Sequence, residues 1–336
     1  MLYECPYIKT EANRLQLYVC QFMRAMKQAG RGFSVDDVPR GLKSFTDRSE
    51  KLKEHVEAFV KAYHDLPDEA ERKKVFDAFV NSNAIEALLK NRRAANQIKK
   101  SYLHHTIQEP VDTLFKFLFS STLKLDDKLK NHYEQFYQAI EKSHQKVCPF
   151  CGLETMVSPR KGMQDYDHLL YKDEYIFASV NMRNLIPMGI ECNRRYKKTT
   201  DIIHRADGSP RSFNYPFQLT IQIQIDLSSS AIPNDDDNGN GWVINFLPNS
   251  DDVETWAEVF DIRERYIEDV FKVGYFSNWL GDFIEHTKKY NLLRSKNAQE
   301  VRNCMSDFLS LIKNTDLRSL GFLRFAVFDF LIKNAP

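Results

Sequence analysis

The strings CPFCG at residues 148–152 and DYDHLLYKDEYIFASVNMRNLIPMGIECNRRYKK at residues 165–198 break the character of the chain around them. Sustained helical periodicity is missing here, while Asp, His, Asn and Cys cluster, so this stretch carries the chemistry and decides how the flanks are parsed. Six cysteines occur, at positions 5, 20, 148, 151, 192 and 304, and only Cys148 and Cys151 are closely spaced. In a reducing compartment a lone C-x-x-C points to a metal knuckle or a redox motif, not to a disulfide framework.

The two strings resemble the HNH endonucleases, in particular the subgroup whose pattern runs C-x-x-C-G, then D-H-x-L-P-K-x-x-Y-P, then N-L-x-P-x-C-x-x-C-N with a following lysine. Asp167 and His168 match the D-H pair, and Lys172 and Tyr175 fall at their places. Asn184, Leu185 and Pro187 match N-L-x-P, and Cys192 with Asn193 matches the closing C-N. The resemblance spans residues 148–198 and is specific because many positions agree at fixed spacing. It implies a ββα-metal finger in which Asp167 and His168 end a first strand, residues 185–188 lie on a second, and Asn193 sits on the first turn of the following helix.

Phosphodiester cleavage explains why these residue types converge. A water must lose a proton near neutral pH, the range in which an unperturbed histidine titrates, so His168 is the expected general base. Negative charge grows on the phosphorane and the leaving 3′ oxygen, which a divalent ion held by hard oxygen ligands stabilises. The resemblance assigns that ion, Mg²⁺ or Mn²⁺, to Asp167 and Asn193, and gives Asn184 the task of holding the histidine loop. The helix N-terminus is expected to face phosphate. Lys172, Arg194, Arg195, Lys197 and Lys198 are candidate contacts to the nucleic-acid backbone, although a basic run is by default a solvated helix face.

The chain departs from the pattern in three places. Zinc-binding members hold a structural ion in two C-x-x-C pairs, and here the second pair reads Gly189-Ile190-Glu191-Cys192, so one thiolate is missing. Either Cys148, Cys151 and Cys192 bind Zn²⁺ with a ligand from elsewhere, His144 being near in sequence, or the finger is held by packing alone. Tyr171 and Ile176 stand where the subgroup has prolines. The closing lysine arrives one residue late, as Lys197, behind Tyr196.

Upstream, residues 10–145 read as helix, with Leu15, Leu17, Val19, Phe22, Met23 and Met26 at three- and four-residue spacing. Breaks are expected near residues 30–41 and 65–69, around Ser82 and at Glu109-Pro110. A basic segment, Lys90, Arg92, Arg93, Lys99, Lys100, His104 and His105, reads as a solvated helix face, with DNA or an acidic partner as the alternative. Downstream, Phe217, Leu219, Ile221, Ile223 and Ile225 alternate with polar residues, the period of a half-buried strand. A polar loop then leads to a second strand candidate at residues 242–247. Asp236, Asn238, Asn240 and Gly241 begin like a calcium loop, but Leu247 stands at the twelfth position, which rejects it. Helical period returns from Asp251 with Trp256, Val259, Phe260, Arg263, Tyr266, Ile267 and Val270 on one side. Two apolar helices follow at about 297–313 and 316–333, the latter capped by Asn314-Thr315-Asp316.

The expected architecture is therefore α+β, with a helical N-terminal domain (1–145), a central ββα-metal finger (146–200), and a C-terminal strand pair with helices (201–336), built on more than one core. Cys20 and Cys304 fit as core thiols, and Trp256 and Tyr266 as packing residues. A net charge of +1 excludes a general electrostatic pull on nucleic acid, so any contact with DNA must be local. No stretch approaches the length of a membrane span and no signal peptide is visible, so a cytoplasmic protein that does not engage membranes is expected. The expected function is hydrolysis of DNA by an HNH endonuclease, with RNA left open. Members of this family imply products with a 5′ phosphate, a place in bacterial antiphage defence or a mobile element, and an ATPase partner docking on the helical domain. The rival is a catalytically degenerate subunit that binds DNA or an assembly.

Overall fold

Leu15, Val19, Phe22, Met23 and Met26 form the buried stripe of α1 (Arg14–Ala29), whereas Leu17 points outward and is 52% exposed. The protein is described here by a computed structural model covering residues 2–92, 98–124, 127–142, 146–231, 241–289, 298–313 and 320–334. After α2 (Arg40–Thr46), α3 (Glu50–His64) starts at Ser49, whose hydroxyl accepts the Leu52 N–H at 3.2 Å. The Asp68 carboxylate does the same for the Glu71 N–H at 2.8 Å at the start of α4 (Glu69–Ser82). Each cap satisfies a helix donor that lacks an intrahelical partner. Next come α5 (Ile85–Leu89), α6 (His105–Phe117) and α7 (Asp127–Lys142).

The expected break at Pro110 does not occur, because α6 runs through it. Proline removes one bond of the ladder, but Ile107, Val111, Leu114 and Phe115 are all buried and hold the helix along α3. The basic segment is not one solvated helix face either. Lys99 pairs with Asp201 at 3.0 Å and Lys100 with Asp112 at 2.6 Å, in a loop and a short 3₁₀ turn. Arg93 lies outside the described residues.

The central segment forms an antiparallel pair, β1 (Tyr166–His168) and β2 (Leu185–Pro187), with Asp167 opposite Ile186 and His168 opposite Leu185. A π-helical turn, Glu191–Lys197, follows. Beyond it, the expected strand at 217–225 shrinks to β3 (Gln224–Asp226), which pairs antiparallel with β4 (Asn245–Leu247). Residues 217–223 keep the alternation of half-buried and exposed side chains yet form no ladder. Period two reports burial on one face, and a strand also needs a partner for its backbone. The rejected calcium loop falls mostly outside the described residues, which resume at Gly241.

The expected long helix from Asp251 divides into α8 (Asp251–Val259) and α9 (Ile262–Tyr266), because Asp261 adopts a left-handed conformation at φ 50°. α10 (Tyr275–Lys289), α11 (Ala298–Lys313) and α12 (Gly321–Asn334) complete the described helices. The cap expected at residues 314–316 lies outside them. The fold is thus a mixture of helices and small antiparallel sheets, an α+β arrangement.

Separate cores were expected, but the buried apolar side chains form one continuous cluster from Cys5 to Phe330. A segment of some 50 residues is marginal as a core of its own, and here it is packed from both sides. Phe177 packs edge-on against Phe79 and Phe115 on the N-terminal side. On the other side the Trp256 indole donates to the Phe150 carbonyl at 2.7 Å and the Tyr266 hydroxyl to the Cys151 carbonyl at 2.9 Å. Cys304 is buried as expected, and Cys20 is half-buried.

Candidate active site

Asp167 and His168 stand at the end of β1 and border an open cleft of about 290 Å³, which Asn193 also lines from the first turn of the following helix. Asn184 does not line the cleft and is fully buried. Its amide oxygen accepts the Leu170 N–H at 2.8 Å, and its amide nitrogen donates to the carbonyls of Leu170 (3.0 Å) and Ala178 (3.3 Å). One side chain therefore ties both ends of the loop between the strands.

That loop fixes His168. Nε2 lies 3.0 Å from the Ser179 carbonyl oxygen. A carbonyl can only accept, so Nε2 carries the proton and Nδ1 keeps its lone pair. Burial, reinforced by the charges of Lys172 and Lys197, lowers the pKa of His168 to about 3. The imidazole is accordingly neutral near pH 7, with a lone pair able to accept a proton, but burial this deep makes it a weaker base than the unperturbed histidine that the sequence led us to expect. Asp167 is raised above the usual carboxylate range by burial, against the opposing pull of Lys197.

Lys197 corrects the expectation of a phosphate contact. It is 1% exposed, and its ammonium turns inward to Asp167 Oδ2 at 2.9 Å and the His168 carbonyl at 2.7 Å. The π-helical geometry explains how a lysine arriving one residue late reaches this point. A wider turn, here closed by Lys198 N–H to the Asn193 carbonyl, turns the chain less per residue. It thereby absorbs one extra position.

The rim is basic. Lys172, Arg194 and Lys198 line the cleft together with Lys124, which no motif marks in the sequence. Two aspartates, Asp165 and Asp173, balance them. Asp165 pairs with Arg194 and Asp173 with Lys116. Arg195 does not line the cleft, and instead it pairs with Glu191 at 3.4 Å and lies against the Tyr196 ring. Phe119, which sets its ring edge-on to the His168 imidazole at 4.5 Å, also escaped sequence reasoning because it comes from a helix 49 positions upstream.

A second cluster lies beside the strands. The Sγ atoms of Cys148, Cys151 and Cys192 all fall within 4.8 Å of one another and are buried, a set able to hold a metal ion. Backbone N–H groups approach two of them, Leu153 to Cys151 and Gly189 to Cys148, each at 3.4 Å. The Arg265 guanidinium reaches Cys192 Sγ at 3.2 Å. His144, the ligand suggested by sequence, lies outside the described residues. The expectation that the helix N-terminus faces phosphate is also corrected. Its Glu191 and Cys192 N–H groups donate to the Glu154 carboxylate at 3.0 and 3.2 Å, so that end is already occupied by an anion.

No helix among the described residues is long and apolar enough to cross a membrane. Compared with family models, with curated proteins and with solved structures, the chain matches none.

Proposed function

We propose that this protein is a metal-dependent endonuclease of the HNH type that hydrolyses phosphodiester bonds in DNA. The observation that carries this reading is the meeting of Asp167, His168 and Asn193 on one cleft, with the His168 tautomer fixed by the Ser179 carbonyl. The donor chemistry of the cleft suits a hard ion, since Asp167 offers carboxylate oxygen and Asn193 amide oxygen. Buried Asp167 Oδ2 accepts no aligned hydrogen bond, with the Lys197 ammonium 2.9 Å away.

Asp167 and Asn193 would hold Mg²⁺ or Mn²⁺, which when bound supplies Lewis-acid stabilisation of the charge on the phosphate and the leaving 3′ oxygen. Nδ1 of His168 takes the proton of the attacking water. Asn184 and the Ser179 carbonyl keep that ring in place. Lys172, Arg194 and Lys198 offer charge to the strand on either side of the scissile phosphate. Cys148, Cys151 and Cys192 would hold a structural Zn²⁺. A role in antiphage defence and an ATPase partner belong to the same reading through the family resemblance, and a cytoplasmic setting is proposed beside them from the sequence pattern.

A second reading, a DNA-binding or assembly subunit without activity, draws on the buried Lys197–Asp167 pair, a cation already set against the catalytic carboxylate. Incubation of supercoiled plasmid with the protein and Mg²⁺ or Mn²⁺ separates the two. The nuclease reading expects nicking or linearisation that falls by about 10²-fold or more in His168→Ala. Absence of cleavage under either metal, alone or with copurifying proteins, favours the silent subunit, and cleavage unchanged in the variant removes the site assignment.

A further inference from the structure

Gly189 stands where a fourth cysteine would complete the metal knuckle, and the structure fills its missing side chain from elsewhere. A Cβ built on Gly189 would lie 2.7 Å from Cδ, Oε1 and Oε2 of Glu154. The Glu154 carboxylate therefore occupies the volume a side chain at 189 would claim. Its Oε1 lies 3.9 Å from Cys151 Sγ.

We propose that Glu154 is the fourth ligand of a zinc centre with Cys148, Cys151 and Cys192, and that Arg265 is its charge-compensating partner. The assignment rests on reading the cysteine cluster as a metal centre, not on the nuclease chemistry. In a tetrahedral site with Zn–S of about 2.3 Å and Zn–O of about 2.1 Å, sulfurs sit about 3.8 Å apart and a sulfur–oxygen pair about 3.6 Å apart. The three sulfurs lie within 4.8 Å of one another and Glu154 Oε1 lies 3.9 Å from Cys151 Sγ, so the carboxylate borders the cluster on the Cys151 side and must draw in toward the other sulfurs to close the shell. Three thiolates and a carboxylate carry the same formal charge as four thiolates, so the exchange is electrostatically conservative. The excess negative charge is met by Arg265, 3% exposed in its side chain, which lies 3.2 Å from Cys192 Sγ, 3.6 Å from Glu154 Oε1 and over the Tyr196 ring. N–H groups on Cys151 and Cys148, and on both carboxylate oxygens, supply the outer contacts that orient ligands in such centres. Binding would release the thiol protons. It would also fasten α9, which carries Arg265, to the central segment.

The test uses the full-length protein, freed of metal and titrated with Co²⁺, with the absorption spectrum as readout. The wild type is expected to take one Co²⁺ per chain at the thiolates, read by thiolate-to-metal charge transfer and tetrahedral d–d bands, which an ion bound at Asp167 and Asn193 would not give. Glu154→Cys should raise the charge-transfer intensity by about a third as thiolates go from three to four. Glu154→Gln keeps an acceptor for the helix N–H groups and should weaken binding by about tenfold or more. X-ray absorption of the zinc-loaded wild type should show one light ligand atom beside three sulfurs, a readout that needs no variant to fold. Failure of the wild type to bind metal overturns the cluster reading as a whole and leaves Arg265 as its cation. Metal binding with a spectrum and affinity indifferent to both variants, or a zinc shell without a light atom, overturns the Glu154 assignment alone.

Discussion

The Lys197 ammonium lies 2.9 Å from Asp167 Oδ2, with the two side chains 1% and 7% exposed. Such a pair gains little over apolar residues of the same shape, but removing one partner strands the other charge, typically at about 3–5 kcal/mol. Lys197→Met should therefore lower the unfolding free energy by about that amount in urea titrations. Adding Asp167→Asn should return part of the loss, whereas strict additivity of the two substitutions would show that the pair is not coupled.

Stability should fall on mild acidification. Burial lowers His168 to about 3 and His132, beneath Tyr166, to about 4. Between those values and about 6.5 the unfolded chain binds protons that the folded chain refuses, so stability present above 6.5 is lost as pH drops through this window. Asp167, whose pKa is raised by burial, acts in the opposite sense by holding a proton in the fold. Urea midpoints measured from about pH 6.5 down to about 4.5 should decline, and His168→Gln should flatten the decline. An unchanged slope in that variant would mean that His168 protonates freely in the folded protein.

The chemistry of the central segment was legible because it is local. Asp167 and His168 adjoin, and Asn184 and Asn193 follow at spacings that a strand pair and one helical turn convert directly into proximity. What escaped came from distance. Glu154 reaches the place of residue 189 across 35 positions, and Lys124, Phe119 and Arg265 arrive on elements with no motif of their own. The inward turn of Lys197 depends on a π-helical turn, which no periodicity announces. The strand expected at 217–225 failed differently, since Ile221 and Ile223 report a buried face and say nothing of a backbone partner.

Asn184→Ala should loosen the loop that holds His168. The substitution leaves the buried Leu170 N–H without its acceptor, at about 1–3 kcal/mol. Amide exchange at Leu170 should quicken, and cleavage should slow through kcat with KM nearly unchanged. Asn184→Asp keeps an acceptor for Leu170 but loses the donors to Leu170 and Ala178, so it should fall between the two. Exchange at Leu170 as slow as in the wild type would argue against a clamp.

Arg194 and Lys198 line the cleft and Arg195 does not. Binding to a DNA duplex under non-cleaving conditions should weaken in Arg194→Ala and in Lys198→Ala, each lowering the slope of log K against log salt by about 1. Arg195→Ala should leave that slope unchanged. A loss shared equally by all three would indicate a diffuse contact along the basic run instead of a track through the cleft.

Gly189→Ala addresses the replacement of a ligand across space. The new methyl would enter the volume of the Glu154 carboxylate, which cannot simply swing aside because Glu191 and Cys192 N–H groups hold it and Arg265 faces it. Expelling it breaks charge-assisted hydrogen bonds, for an expected loss of about 2–4 kcal/mol. The same substitution made in Glu154→Ala meets no carboxylate and should cost about 0.5 kcal/mol or less, so the coupling in the cycle isolates the contact. Glu154→Ala with Gly189→Cys places a thiol where the carboxylate stood. That double variant should recover metal binding lost in Glu154→Ala, now with the spectrum of four thiolates. If it binds Co²⁺ no better than Glu154→Ala alone, positions 154 and 189 do not share one ligand site.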